Sequence, residues 1–452
     1  MRKFSVTFLA AALVVAAATA LAAFGEDPIG VSISTTDSDC RPQIVYDGAG
    51  GYFATWQVTS GAVGVYAKHY DNNGDMTWDA TLTISNYADS SAMQESASDG
   101  KGGLLVAFED YDGYTRVQRV RRDGTVVWEE GGVVVLDAYD GWVAADGTGG
   151  AIVMSYESGE VNRVAADGSL PWANAKSFSS SLSATKIAPS AGGGAVMLWY
   201  DYNLSAIVVQ KVDNDGNFVW NDGDPVELSS SGSCPRIATY GGDTFVVWYN
   251  VDAVMVQKID ADGNVMWGAG GLVASEMAYP NDEEIAADGN GGAYVTWATD
   301  GVPYAQYIDS EGNIAWESDL ALTTQTDFSG TPQHPRHTSE DGEGGFVTTW
   351  YTSDDVIKAQ RVDSMGALLW SDAGADVAMG ESISYGPKIT SNGQGSAVAI
   401  WVDNRYDAGS DSSSYDVMMQ GISGEGVAGK PDYTPSSSSS SGCFITTLGM
   451  EN

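Results

Sequence analysis

Three histidines stand among 452 residues, His69, His334 and His337. Two of them share the stretch His334-Pro335-Arg336-His337. Imidazole, with an unperturbed pKa of ~6.5, is the side chain best suited to ligate a metal or move a proton near neutrality, so His334 and His337 are the first candidates for a site. The intervening Pro335 locks its own φ, which works against a two-histidine chelate. Carboxylates form a second set. Asp71/Asn73/Asp75, Asp213/Asp215/Asn217 and Asp260/Asp262/Asn264 alternate like the opening of a calcium loop, which makes Asp71, Asp213, Asp215, Asp260 and Asp262 candidate calcium ligands. An EF-hand loop, however, needs Gly at its sixth place and Glu at its twelfth, and these stretches have neither; turn formation explains the same aspartates. A third set, Asp403, Arg405, Tyr406 and Asp416, sits in the long stretch between Trp401 and Gln420 and suits a binding loop.

Stepping outward, one motif positions most of these residues. Gln, then Gly six later, then Trp four after that runs through the chain, as in Gln210, Gly216 and Trp220. It recurs eight times. Lys68 and Asn162 replace Gln in two copies, and the last copy, Gln420 to Gly426, lacks the Trp. So strict a register predicts a hairpin of fixed loop length, because a slip of one residue inverts every side chain. Asp213-Asn214-Asp215-Gly216 matches a type I turn closed by a left-handed Gly, which sets Gln210 opposite Trp220. Upstream, each repeat carries a turn of the Asp-Gly-x-Gly-Gly type, such as Asp47 to Gly51, followed by an apolar run ending in an aromatic such as Trp56. Blade three departs, with Ser155 at the aromatic place. His337 falls two after Pro335, where Pro42-Gln43-Ile44 and Pro387-Lys388-Ile389 have an apolar residue; it is expected on an inner strand near the central axis.

Each repeat reads as four short strands, in blade one about 43–46, 51–56, 63–70 and 75–85. Successive motif tryptophans are 44 (Trp128 to Trp172) to 54 (Trp316 to Trp370) residues apart, the period of a four-stranded propeller blade. The expected fold is all-β, a closed eight-bladed β-propeller of four-stranded antiparallel blades over 26–431, with seven blades as the alternative. The last repeat lacks a returning strand, and Gly30-Val31-Ser32-Ile33-Ser34 resembles the fourth strand of blade one, Leu82-Thr83-Ile84-Ser85. The N-terminal segment is therefore expected to close the ring and remove an exposed edge.

Residues 1–22, two positive charges followed by an apolar, Ala-rich run ending Ala20-Leu21-Ala22, read as a secretory signal peptide. The protein is accordingly expected to be exported, to the cell surface, the extracellular space or the periplasm, with no transmembrane segment after signal removal. Net charge is −39, and loss of Arg2 and Lys3 makes it −41, which disfavours nucleic acid and anionic membranes as partners. Three cysteines are too few for a disulfide scaffold. Cys40 and Cys234 occupy nearly the same place in repeats one and five, opposite sides of a ring of eight, and are expected not to pair. Residues 432–442 are a Ser-rich linker, and 443–452 a tail in which Cys443 is a candidate processing or anchoring point.

The Asp-Gly-x-Gly-Gly…Trp and Gln-x-x-Asp-x-x-Gly-x-x-x-Trp repeats resemble those of secreted bacterial β-propeller repeat proteins. The Gly-x-x-x-Trp part is distantly similar to the tryptophan-docking repeat of eight-bladed quinoprotein propellers, whose cofactor residues have no counterpart here. Gly442-Cys443-Phe444-Ile445 resembles the Cys-Phe-Ile box of some exported bacterial proteins. None of these resemblances implies an activity. No nucleophile elbow or phosphate loop is present, since the Gly-Gly turns lead into strands and not helices. The expected function is a monomeric, non-enzymatic binding or cell-surface module for a glycan or protein partner, with no cofactor except calcium at the turns. The alternative is a polysaccharide lyase or hydrolase. The lining of the central axis separates them: His, Arg, Glu and Tyr together favour an enzyme, eight similar small residues exclude one. Sites are expected where the repeat breaks, at Glu109-Asp110-Tyr111-Asp112, at Trp142 and Ser155, in the blade-eight insertion and at His334–His337.

Overall fold

The structure, a computed structural model, describes residues 31–34, 39–86, 88, 94–277, 280–324, 335–352, 356–379, 383–403 and 415–429. Residues 1–30 and 430–452, where the signal peptide, linker and tail are expected, lie outside these, as do His334, Arg405, Tyr406 and Cys443.

Short apolar runs, buried along nearly their whole length in the second strands and broken by Gly turns, give eight separate four-stranded antiparallel sheets. In blade one the strands are Asp39–Tyr46, Gly51–Val58, Gly64–Asp71 and Leu82–Ser85, paired in sequence order. The fourth strand is shorter than the sequence suggested. After the hairpin a single bridge, Tyr70 to Met76, is followed by a bend holding Trp78 before pairing resumes at Leu82; the Trp leaves the ladder to reach the next blade. The eighth sheet takes its outer strand, Val31–Ser32, from the N-terminus, where Val31 pairs with Met419. Eight blades with this closure match the expectation.

Apolar side chains on both faces of each sheet are buried against the neighbouring sheets. One cluster joins Leu198 and Val209 of blade four to Ile237 and Val246 of blade five; another joins Val398 and Ile400 of blade eight to Ile44 and Ala54 of blade one. Innermost are the first strands, each packed on the first strands of both neighbours. Antiparallel pairing puts the start of every first strand on the same face as the loops between second and third strands. We call this the upper face; the Asp-Gly-x-Gly-Gly turns lie on the lower one.

The repeated motif fastens blade to blade. Gln210 Oε1 accepts the Trp220 N–H at 3.0 Å, and its amide donates to the Trp220 carbonyl at 3.2 Å. The Trp220 indole then donates to Ala261 O of the next blade at 3.0 Å. Its ring lies under Gly263, where an added Cβ would sit 2.6 Å from the indole. Gly263 has a φ of +90°, so Gly is required both by conformation and by the ring against it. Trp78, Trp128, Trp172, Trp316 and Trp370 donate across the blade boundary in the same way.

Candidate functional site

The calcium-like aspartates act as turn caps. Asp213 Oδ1 accepts the N–H of Asp215 at 2.9 Å and of Asn217 at 2.8 Å, and Asp260 does the same for Asp262 and Asn264. Asp71 likewise accepts from Asn73 and Asp75. Asp215 and Asp262 contribute their backbone N–H to these caps. Among the described residues no group of three metal-ligating side chains converges. An Asp213→Ala change is expected to lower stability by about 1 kcal/mol, measured by urea melting, and equally with or without calcium. A calcium-dependent loss would restore the ligand role.

His69 is also structural. It is buried, with Nε2 3.1 Å from Asp47 Oδ2 and Nδ1 2.6 Å from Thr77 Oγ1, and it stacks on Trp78. The residue after Gln plays this part around the ring: Arg119 pairs with Asp99, Arg163 with Asp146, Arg361 with Asp341, and Tyr307 donates to Asp288. Burial would raise the Asp47 carboxyl, but the His69 bond and the Gly51 and Ala49 N–H groups hold it below the usual range. Asp403 is buried and accepts the Trp401 indole N–H at 3.2 Å. Asp201 does the same for Trp199 at 3.0 Å, so Asp403 has a fastening role; it pairs across the strands with Asp416 at the upper end of blade eight.

His337 leads to a different arrangement. It pairs with Thr349, one residue before Trp350, just as Gln43 pairs with Thr55 before Trp56. Its equivalent is thus Gln43 and not Ile44, a one-residue correction caused by the bulges that open these strands; Thr338 fills the apolar place. The same register selects Glu95, Trp142, Lys186, Arg236, Glu284 and Lys388 in the other blades. Around the innermost strands the order is Gln43, Glu95, Trp142, Lys186, Arg236, Glu284, His337, Lys388. These are not eight similar small residues.

The ring is knit from blade to blade. Lys388 Nζ donates to Gln43 Oε1 at 2.7 Å, Arg236 Nε to Glu284 Oε1 at 3.3 Å, and His337 Nδ1 lies 2.6 Å from Ile389 O. Lys186 Nζ stands 3.8 Å over the Trp142 ring. Burial pushes the Glu95 carboxyl up to about 7 against the opposing pull of Lys388 and Lys186. Burial, with repulsion from Arg236 and Lys388, pushes the Lys186 amine down to about 7, while Glu95 and Glu284 attract its charged form. Blades two, four, five, six and eight therefore act on one another across the axis. Beside the ring, Glu283 is fully buried, neither carboxylate oxygen has a hydrogen-bond partner, and burial raises its carboxyl to about 8. Just before the ring, Arg41, Asp140, Ala184, Cys234 and Asp282 all have φ between +50° and +54°, a left-handed conformation costly for residues with a Cβ. Cys234 thus matches Arg41, one place from Cys40; both thiols are free, as their positions in opposite blades required.

On the upper face above this ring, tyrosines are exposed in consecutive blades: Tyr111 (58%), Tyr139 (44%), Tyr156 (43%) and Tyr202 (57%). Ser155 organises three of them. Lacking the aromatic ring of its counterparts, it is buried and donates to Tyr139 O at 2.6 Å while accepting the N–H of Glu157. Glu157 Oε2 in turn accepts the Tyr139 N–H at 2.9 Å. Tyr139 packs over Gly113 in the Tyr111 loop, where a Cβ would meet its hydroxyl at 2.9 Å. Asp140 beside Tyr156, together with burial, raises that phenol above its usual value. The breaks at Tyr111, Trp142 and Ser155 thus gather at blades two and three.

No family model matches the sequence, and no curated protein matches it. Solved structures do. The BP39L lectin from Burkholderia pseudomallei superposes with a TM-score of 0.48 at 15% identity over 76% of this chain and 100% of that one. A putative 6-phosphogluconolactonase from Bacteroides fragilis gives 0.42 at 16% over 76% and 98%. A streptogramin B lyase gives 0.42 at 12% over 70% and 89%. These are likenesses of propeller fold only.

Proposed function

We propose that this protein is an exported glycan-binding propeller whose ligand lies on the upper face over blades two to four. The exposed tyrosines at positions 111, 139, 156 and 202 carry this reading. Aromatic side chains present a flat apolar face with a polar tip, which fits the C–H face of a sugar ring, and the carboxylates of Asp140 and Glu157 beside them accept hydroxyl hydrogens. Large aromatics exposed together on one face of a folded body are a mark of a binding surface. The signal-like residues 1–22 supply the export half of the proposal.

A glycan array followed by calorimetry tests it. Tyr139→Ala and Tyr156→Ala should each weaken binding at least ~10-fold, the effect of losing about 1.4 kcal/mol, with melting temperature unchanged for Tyr156→Ala. Retained binding in both variants, or capture of proteins but no glycan, overturns the assignment. The second reading, a polysaccharide-acting enzyme, is favoured by the axial ring, where Glu95 and His337 stand beside cations. Release of new reducing ends or unsaturated products from a bound polysaccharide, abolished by Glu95→Gln, would establish it.

A further inference from the structure

Charge at the axis runs against that of the whole molecule. In a chain of net charge −39, the innermost ring carries three cations, Lys186, Arg236 and Lys388, and two carboxyls, Glu95 and Glu284. Glu284 is engaged by Arg236. Glu95 is buried, and its Oε1 has no hydrogen-bond partner. Arg236 and Lys388 are the ring's least buried charged members, the Arg236 side chain keeping 11% of its surface exposed. Cations drawn together from blades four, five and eight repel one another, a repulsion that Glu95 and Glu284 offset in part, and an added counter-charge relieves the remainder. Ala184 and Cys234, two residues before Lys186 and Arg236, are held left-handed, a conformation that costs stability.

We propose that the axial ring is a binding site for a carboxylate-bearing small molecule or sugar acid, held by Lys186, Arg236 and Lys388, with the Glu95 carboxyl donating to one ligand oxygen. A planar carboxylate matches the guanidinium fork of Arg236 and the point charges of the two amines. A protonated Glu95 supplies the donor that a carboxylate oxygen requires, and its unpartnered Oε1 gains a use. The site is separate from the tyrosine face, so the two proposals fail separately.

Binding has a signature that a neutral ligand lacks. An anion between Lys186 and Glu95 favours the protonated form of both, and each group titrates near neutrality, so binding near pH ~7 takes up as much as about one proton. Calorimetry of the full chain in two buffers of different ionisation enthalpy reads this directly, with acetate, D-glucuronate and D-glucose as probes. The expected result is saturable binding of an acid with proton uptake, and no proton uptake with glucose. Tighter binding of glucuronate identifies a sugar acid, and equal binding a simple carboxylate. Lys186→Met and Lys388→Met should each cost at least ~10-fold in affinity, with Lys388→Arg largely restoring it. Tyr156→Ala should leave proton uptake intact. Absence of saturation by either acid, or binding unchanged in folded Lys186→Met and Lys388→Met, overturns the proposal.

Discussion

A Trp220→Ala variant should lose about 3–5 kcal/mol of stability, a large part of the ~5–15 kcal/mol typical of a folded domain. Trp220 is almost fully buried, and it joins blades four and five both by its ring under Gly263 and by its indole bond to Ala261. Gly263→Ala should also destabilise, by about 2–5 kcal/mol. A left-handed residue with a Cβ costs ~1–2 kcal/mol, and the new methyl group presses on the indole from 2.6 Å, adding ~1–3 kcal/mol of overpacking. The diagnostic case is the double variant. Once the indole is gone the methyl has space, so the double change should cost clearly less than the sum. Urea denaturation of the four proteins measures this, and strict additivity would show that the ring and the Gly do not depend on each other.

The second large effect lies at the axis and depends on pH. Glu95 has a native carboxyl raised to about 7 from 4.5. Its contribution is therefore present in full below about 4.5 and lost as pH rises through about 7, an upper bound of about 3 kcal/mol. Lys186 has a native amine lowered from 10.5 to about 7. Its contribution is present above about 10.5 and lost as pH falls through about 7, an upper bound of about 5 kcal/mol. Glu95→Gln should thus be more stable than the parent above neutrality, and Lys186→Met more stable below it. The double variant should lose both of these contributions and keep only the decline toward high pH set by the other raised carboxyls, Glu283 and Glu340. Melting curves from about pH 5 to about pH 9 decide the matter; a parent whose stability neither variant alters on its predicted side would remove the ionisable pair from the axis. Gains in stability from deleting these groups would fit a site kept for binding rather than for folding.

The architecture was legible because it rests on local rules repeated eight times. Gln210 six before Gly216 and ten before Trp220 specifies a hairpin whose amide caps its own Trp, and each of these relations lies within one turn of chain. Ring closure was legible too, since Val31–Ser32 and Leu82–Ser85 carry the same pattern. The extent of the fourth strand was not, because Trp78 abandons its own ladder for a partner in the next blade. The functions of Asp403 and His69 were also hidden: both look like free chemistry in sequence, yet one holds an indole two residues away and the other a turn twenty-two residues away.

The axial ring shows where sequence reasoning stops. Its members lie four residues before the turn residue in seven repeats, from Gln43 before Asp47 to Lys388 before Asn392, and Arg236 lies four before Tyr240. That spacing was available, but bulges of different form before the ring shifted the apparent alignment and placed His337 one position off. No spacing reports that Lys186 and Lys388, two hundred residues apart, face each other across an axis. The sequence by itself determined the hairpins, the blade count and the closure, because these follow from short-range turn geometry and strand period. Only the closed ring decided that eight dissimilar residues share one buried, low-dielectric centre, because convergence there is a property of the circle and of no single blade.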